Sequence, residues 1–495
     1  MSQLTISELT RLARRALIEE DFAPDFPPRA AEAVLSLDEK RIISEAADSA
    51  AVKDLRGLLW SSIDNASSRD LDQLEYAEKL PGSDDVRLLV AIADVDEFVP
   101  KDSPIDVFAA ENTLSIYTGS GVFPMLPERL SNDLTSLLEG ADRLAVVTEI
   151  IVSRRGDVET VDVFRALVHN YAKLSYEETG AWLEGGGEIP ARVAEIPGMK
   201  AQILLQQEAA QSLRRFRKQN GALEFETVEA KPVVEGDRII DLKVEKRSAA
   251  RDIIENFMVT TNVETAEFLE KRSAVSLRRV VKTPERWRRI VEIARSFNEN
   301  LPENPDSFAL AEFLLRRRTA EPALYADLSL SIIKLLGASE YVVQRAGAED
   351  AGGHFGLAVS DYTHSTAPNR RYADLIVQRL VKAALAGEPA PYDFEELEAI
   401  AARCNERESA ARKVERRIRK TIAASVMAAR IGETFEAVVT GVAAKGTFAR
   451  ITTPPVDGRI VSGEAGLQVG EKVVVRLLKT EPERGFIDFA REGVY

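Results

Sequence analysis

The sequence predicts an α+β chain in three parts: a small N-terminal helical domain (1–56), a larger mixed α/β body (57–430) and a C-terminal five-stranded β-barrel (431–495). Three observations predict it. Helical spacing marks the N-terminus and several later segments. Apolar strand-like runs at Arg87–Val95 and Leu144–Ile151 precede long helices. From Gly432 the pattern changes to short alternating runs broken by Gly and Pro. A length of 495 residues suits about three domains at roughly 100–200 residues each.

In chain order, residues 5–21 place Leu9, Leu12 and Leu17 at helical spacing, and residues 30–60 continue with helix formers. Up to Arg56 the chain has 8 basic and 11 acidic residues, a mildly acidic balance. Residues 57–175 mix strand-like runs with loops. Residues 203–219 and 250–272 read as helices, as do Phe308–Leu315, Leu328–Leu336 and Arg370–Ala386, the last ended by Gly387 and Pro389. Residues 393–430 form a long charged helix. Two basic runs stand out. Lys271–Arg289 has eight basic residues and one acidic, and Arg403–Lys420 has eight and three. Each reads either as a solvated helix face or as a phosphate track. In the last part, FEAVVTGV, TFARI, RIVSG, KVVVRLL and GFIDFA read as strands of an OB-type barrel. Phe448 and Arg450, two apart, share a face.

Composition narrows the chemistry. Acidic residues number 80 and basic ones 65, a net charge of −15 that argues against a protein coating nucleic acid indiscriminately. One cysteine, Cys404, forbids an internal disulfide or a Cys-based zinc site. With His169, His354 and His364 as the only histidines, any metal would be held by oxygen and would be a hard cation. No signal-peptide pattern or membrane span is evident, so a cytoplasmic setting is expected, with no membrane partner and no obligate protein partner.

Two segments carry chemistry. In residues 61–73, Asp64, Asp70 and Asp72 fall within nine positions, and Asp70 and Asp72 would face the same way on an extended strand. Converging carboxylates repel one another, and a divalent cation relieves the repulsion; the same composition also suits an acidic turn. In residues 361–375, Pro368 suits a helix start and puts Arg370 and Arg371 in the first turn, where amides and guanidinium can hold an anion. Asp374, four residues after Arg370, is the alternative partner. His364 reads as a hydrogen-bonded structural residue.

Together these segments resemble the RNase II family, whose catalytic module is the RNB domain. Ile63-Asp64 and Asp70-Leu71-Asp72-Gln73 resemble its metal-site pattern, and Leu89–Val95 its following strand. FPMLPERLSNDLTSL (123–137), AKLSYEETGAWLE (172–184), IIENFMVTTN (253–262) and HFGLAVSDYTHSTAPNRRYADL (354–375) resemble further family blocks, in family order from about 57 to 385. The C-terminal barrel resembles the family's RNA-binding OB-type domain.

The resemblance implies a magnesium-dependent, processive 3′→5′ exoribonuclease that hydrolyses single-stranded RNA to nucleoside 5′-monophosphates, with manganese as an alternative ion. It implies Asp64, Asp70 and Asp72 as metal ligands and Arg370 as the residue on the scissile phosphate. Tyr176 would lie near the 3′-terminal nucleotide and Glu255 at its sugar. Tyr117 and Phe225 would clamp bases, stacking at roughly 1–3 kcal/mol each; Arg371 and Phe448 would add RNA contacts. Two departures stand out. Position 73 is Gln where the family usually has a fourth Asp, which raises the alternative of an RNA-binding protein with weak or no nuclease activity. About 56 residues precede the catalytic module where the family commonly carries two cold-shock-type domains, so the RNA entrance would be built differently. A more distant reading is a protein-interaction module around helix 393–430.

Overall fold

The computed structural model describes residues 4–226, 230–244, 247–348 and 352–493. At its centre is a six-stranded sheet in the order Val52–Asp54, Val158–Ser175, Trp60–Asp64, Gln73–Lys79, Val86–Ala93, Asp142–Val152. The 18-residue strand Val158–Ser175 closes it on itself. Its first part pairs antiparallel with Asp142–Val152, and Asn170–Ser175 pairs parallel with Trp60–Asp64. Both faces are covered, which explains why the runs at Arg87–Val95 and Leu144–Ile151 are nearly continuously apolar rather than alternating.

On one face Trp60, Leu74, Leu89, Ala91 and Val147 meet Leu375, Ile376 and Leu380 of the helix Tyr372–Ala386. On the other, Ile63, Leu88, Val90 and Leu174 meet Ile203, Leu213, Ile253 and Phe257 of the helices Met199–Gln219 and Ala249–Arg272. A separate helical core gathers Trp287, Ile290, Phe313, Tyr325 and Ile332.

The helix Phe394–Met427 links two cores. Leu397, Ala401 and Cys404 join the sheet core, while Ala411, Val414, Ile418 and Ile422 join the core of the C-terminal barrel. At 1.5 Å per residue its 34 residues span about 50 Å. The barrel is closed and five-stranded, as the alternating runs predict, in the order Thr434–Ala443, Gly446–Ile451, Val456–Ser462, Phe486–Arg491, Lys472–Glu481. Gly458 makes it close-packed: a Cβ there would meet the Phe489 ring at 2.2 Å.

The N-terminal part is helical as far as Ala47 and packs onto the rest of the chain. Ile6–Glu19 buries Leu9, Ala13 and Leu17 in the barrel-side core, Pro28–Leu35 gives Ala30 and Val34 to the sheet core, and Ala46 of Glu39–Ala47 packs on Leu144 and Leu167. The three helices thus contribute to three different clusters. The run of helix formers after residue 47 is interrupted by strands, Val52–Asp54 and Trp60–Asp64.

The two basic runs are also resolved differently from a phosphate track. Arg278 pairs with Glu270 and Asp361, and Arg279 with Glu408, all inside the fold. Lys413 pairs with Glu20 and Arg417 with Glu19 on the N-terminal helix, and Arg412 with Glu408. Much of this positive charge is neutralised by carboxylates distant in sequence.

Candidate active site

The parallel pairing of Trp60–Asp64 with the end of Val158–Ser175 sets Asp64 opposite Ser175. Ser175 caps the helix Tyr176–Leu183, its hydroxyl accepting from the Glu178 N–H, so Tyr176 opens that helix beside the strand end carrying Asp64. Asp70 and Asp72 precede the strand Gln73–Lys79 rather than lying on it. Their loop is pinned from both sides. The Ala93 N–H donates to the Asp72 carbonyl (2.9 Å), and the Ser136 hydroxyl donates to the Arg69 carbonyl (2.6 Å) while accepting from the Leu71 N–H (3.0 Å). Thr135, next to Ser136, donates to Asn369 Oδ1 (2.6 Å). The block at 123–137 therefore fixes the aspartate loop and the arginine segment relative to each other.

That segment departs from the sequence expectation. The helix begins at Tyr372, so Arg370 and Arg371 precede it rather than forming its first turn. Arg371 is extended and bridges to Leu114; the Arg370 carbonyl accepts from the Ser115 N–H (2.9 Å) and the Thr113 carbonyl from the Tyr372 N–H (2.8 Å). These backbone bonds hold the strand Ile116–Tyr117 beside Arg370. The partner of Asp374 is Arg371 (2.7 Å), not Arg370. Asp374 is fully buried and also accepts from the Ala367 N–H (2.8 Å). The expected anion-binding role of Arg371 thus meets a guanidinium already engaged within the turn.

Arg370 Nε lies 3.3 Å from Asp72 Oδ2, and the Asn369 N–H donates to Asp72 Oδ1 (3.1 Å). Asp72 is 3% exposed, and its carboxyl is pushed up to about 7: burial dominates, Arg370 opposes it, and the charge of Asp70 adds to it. The Tyr117 hydroxyl donates to Asp70 (3.0 Å), while 43% of the residue remains exposed. Desolvation of that hydroxyl and the adjacent Asp70 raise its pKa. Asp64 accepts from the Asn65 N–H (2.6 Å) and the Ser68 hydroxyl (2.7 Å).

Tyr176 is stacked by the Arg251 guanidinium, 4.3 Å from the ring centre. Arg251, on the helix Ala249–Arg272, and Lys231, on the strand Ala230–Glu235, donate to Asn65 Oδ1 (3.3 and 2.9 Å), an input that no spacing in the sequence signals. Glu255, one helical turn after Arg251, pairs with Arg247 (3.0 Å) and Arg217 (3.8 Å). Phe225, Glu255, Arg214, Arg217 and Arg247 line a neighbouring cavity of about 230 Å³. Tyr117 and Phe225 therefore belong to different neighbourhoods: one against the aspartates, the other in the arginine-lined cavity. Phe448 stands 38% exposed on the barrel, with Arg450 on the same face paired to Asp457 and Asp327. The Tyr341 hydroxyl lies 2.8 Å from His364 Nδ1, in keeping with the structural reading of that histidine.

Each of the three aspartates is turned to a protein donor. Among the described residues no group of three or more His, Cys, Asp or Glu is arranged as a ready-made metal cage. The donor set nevertheless fits magnesium. That ion is characteristically held by one or two carboxylates together with waters and substrate phosphates, not by an all-protein cage. Asp72, buried and disfavoured as an anion, is the group such a cation would favour most.

The site is thus an arginine against a buried carboxylate, with Tyr117 on the neighbouring Asp70, carried by a mixed α+β core with a closed five-stranded barrel. Comparison with known proteins gives the family. Residues 52–387 match the RNB domain, and residues 433–492 match the RNase II-type exonuclease C-terminal S1 domain. The chain belongs to the RNB family. It is 31% identical over 427 residues to Ribonuclease R of Vibrio parahaemolyticus, covering 82% of this chain and 49% of that protein. The chain spans about half the length of curated relatives it matches. Its fold matches Mycoplasma genitalium RNase R in complex with ribose methylated single-stranded RNA (TM-score 0.86, 23% identity, 98% of this chain and 78% of that one). It also matches yeast Ssd1, a pseudonuclease (TM-score 0.70, 18% identity, 92% and 56%). Among the described residues no helix is long and apolar enough to cross a membrane.

Proposed function

We propose that this protein is a hydrolytic, processive 3′→5′ exoribonuclease that removes nucleoside 5′-monophosphates from single-stranded RNA in the cytoplasm, with magnesium as its metal. In this reading residues 57–430 carry catalysis and 431–495 bind RNA. The observation that carries it is the meeting of Arg370 with Asp72, 298 positions apart in sequence, within the RNB match.

Asp64, Asp70 and Asp72 would hold magnesium, which when bound lowers the pKa of water and offsets charge at the phosphate. Arg370, 42% exposed at its side chain, is free to leave Asp72 for a phosphate oxygen and to stabilise the charge that grows in the transition state. Tyr117 offers a ring face to the terminal bases while its hydroxyl stays on Asp70. Tyr176 supports the 3′-terminal nucleotide, and the Glu255 carboxylate accepts from a ribose hydroxyl, a contact that DNA lacks at the 2′ position. Phe225 would stack a base at the arginine-lined cavity, and Phe448 on the barrel would hold RNA upstream. Water attacks phosphorus, the P–O3′ bond breaks, the water oxygen stays on the released 5′-phosphate, and its proton ends on the new 3′-hydroxyl of the shortened RNA.

Gln73 supports a second reading, RNA binding without efficient cleavage, and the likeness to a pseudonuclease means that the fold alone does not choose between them. The test is purified protein with magnesium and 5′-end-labelled single-stranded RNA. Progressive shortening from the 3′ end is expected, and Asp72→Asn abolishes it. Equal activity in that variant overturns the assignment.

A further inference from the structure

The metal-site reading leaves one strongly polar group unexplained. Glu75 is 0% exposed, and neither of its carboxylate oxygens has a hydrogen-bond partner. It lies on the strand Gln73–Lys79 between two layers of apolar side chains. Its cross-strand neighbour Ser61 is equally buried, and the Ser61 hydroxyl also lacks a partner. The nearby Gln206 amide is turned to the Glu75 peptide carbonyl (3.4 Å), not to its carboxylate. Among the described residues no Lys or Arg forms an ion pair with Glu75. A buried carboxyl with no donor and no counter-charge is costly to keep, and an apolar side chain of similar volume would serve a core better.

Its position gives the group a use. Successive strand residues alternate faces, so Glu75 shares its face with Gln73, two positions nearer the aspartate loop. Asp64 is the charged residue whose field acts on Glu75, and Tyr176 feels both Asp64 and Glu75. Glu75 therefore lies buried on the strand face where Gln73 is neutral, paired across the strands with Ser61, three residues before Asp64, and within the field of the Asp64 charge.

We propose that Glu75 supplies the fourth carboxylate of the cation site, in place of the acid missing at position 73. This rests on the reading of Asp64, Asp70 and Asp72 as ligands of a divalent cation. It explains together an otherwise partnerless buried acid and a site one charge short.

The test is direct binding of Mn²⁺ to the full-length protein without RNA, read from the free-ion signal in electron paramagnetic resonance. Glu75→Gln keeps the shape and removes the charge; Glu75→Leu, apolar and close in size, guards against a failure of the first variant to fold. Both should bind Mn²⁺ at least tenfold more weakly than wild type. In the double variant Gln73→Asp/Glu75→Gln the charge is moved two residues along the same face, and affinity should return to within threefold of wild type. A smaller loss in the Glu75 variants, in a protein whose Mn²⁺ binding is weakened by Asp72→Asn, overturns the role of Glu75 alone. If Asp64→Asn and Asp72→Asn also leave Mn²⁺ binding unchanged, or wild type binds none, the cation-site reading falls and this proposal with it.

Discussion

Replacing Asp72 by Asn should inactivate the protein and at the same time stabilise it. The Asp72 carboxyl stands at about 7 in the fold against an ordinary 3.8, chiefly because burial disfavours its charged form. A displacement of about three pH units corresponds to about 4 kcal/mol, at 1.36 kcal/mol for each factor of ten. The raised value means that the fold holds the proton more tightly than the unfolded chain. Below pH about 4 both states are protonated and the full stability is present. As pH rises towards 7 the unfolded chain ionises first, and stability falls; above 7 the loss is complete. Asparagine cannot ionise, keeps an acceptor for the Asn369 N–H, and forfeits a contact with an Arg370 side chain that is 42% exposed. At pH 8 in a chelator, Asp72→Asn should therefore exceed wild type by about 2–4 kcal/mol, and the gap should vanish near pH 4. Magnesium should narrow it, because the cation favours the ionised wild-type side chain. Chemical unfolding followed by tryptophan fluorescence measures the difference. A variant no more stable than wild type at pH 8, or one that still degrades RNA at the wild-type rate, refutes this reasoning.

Other consequences are open to simpler experiments. Arg370→Ala should lower single-turnover cleavage by about 10²–10³-fold, the scale of one lost transition-state donor, while RNA affinity changes far less. Tyr117→Ala should weaken binding of single-stranded RNA by about 1–3 kcal/mol in fluorescence anisotropy, with little dependence on sequence. Phe489→Ala should destabilise the barrel by about 3–5 kcal/mol, since its ring is fully buried against Gly458; thermal unfolding reads it.

The barrel was legible because its strands alternate: Thr447, Ala449 and Ile451 are buried while Phe448 is exposed. Most helices from Met199 to Met427 were legible from apolar spacing, with ends shifted where caps decide them, but Trp287–Ser296 was not read. Arg370 and Arg371 were misplaced onto a helix because Pro368 suggests a start. In the fold a turn from Ala367 precedes an extended Arg371, held by backbone bonds to Thr113 and Ser115, and no local signal announces a partner some 255 residues away. The basic runs misled for a similar reason. Glu19 and Glu20, which pair with Arg417 and Lys413, and Glu270 and Asp361, which pair with Arg278, lie outside the two runs, and a one-dimensional charge count does not include them. The candidate site residues came from the resemblance to a family rather than from periodicity, because loops such as Asn65–Asp72 carry none. Glu75 was missed because its strand, Gln73–Lys79, carries Gln, two Glu and Lys among its seven residues, so nothing in the sequence marks which acid is buried.

The most direct test of the central claim follows wild-type protein and Gln73→Asp on the same 5′-labelled single-stranded RNA with magnesium. The account predicts that wild type shortens the RNA from its 3′ end and releases nucleoside 5′-monophosphates, with Gln73→Asp adding little. RNA that is bound but left intact by wild type, and degraded once Gln73 becomes Asp, would contradict it.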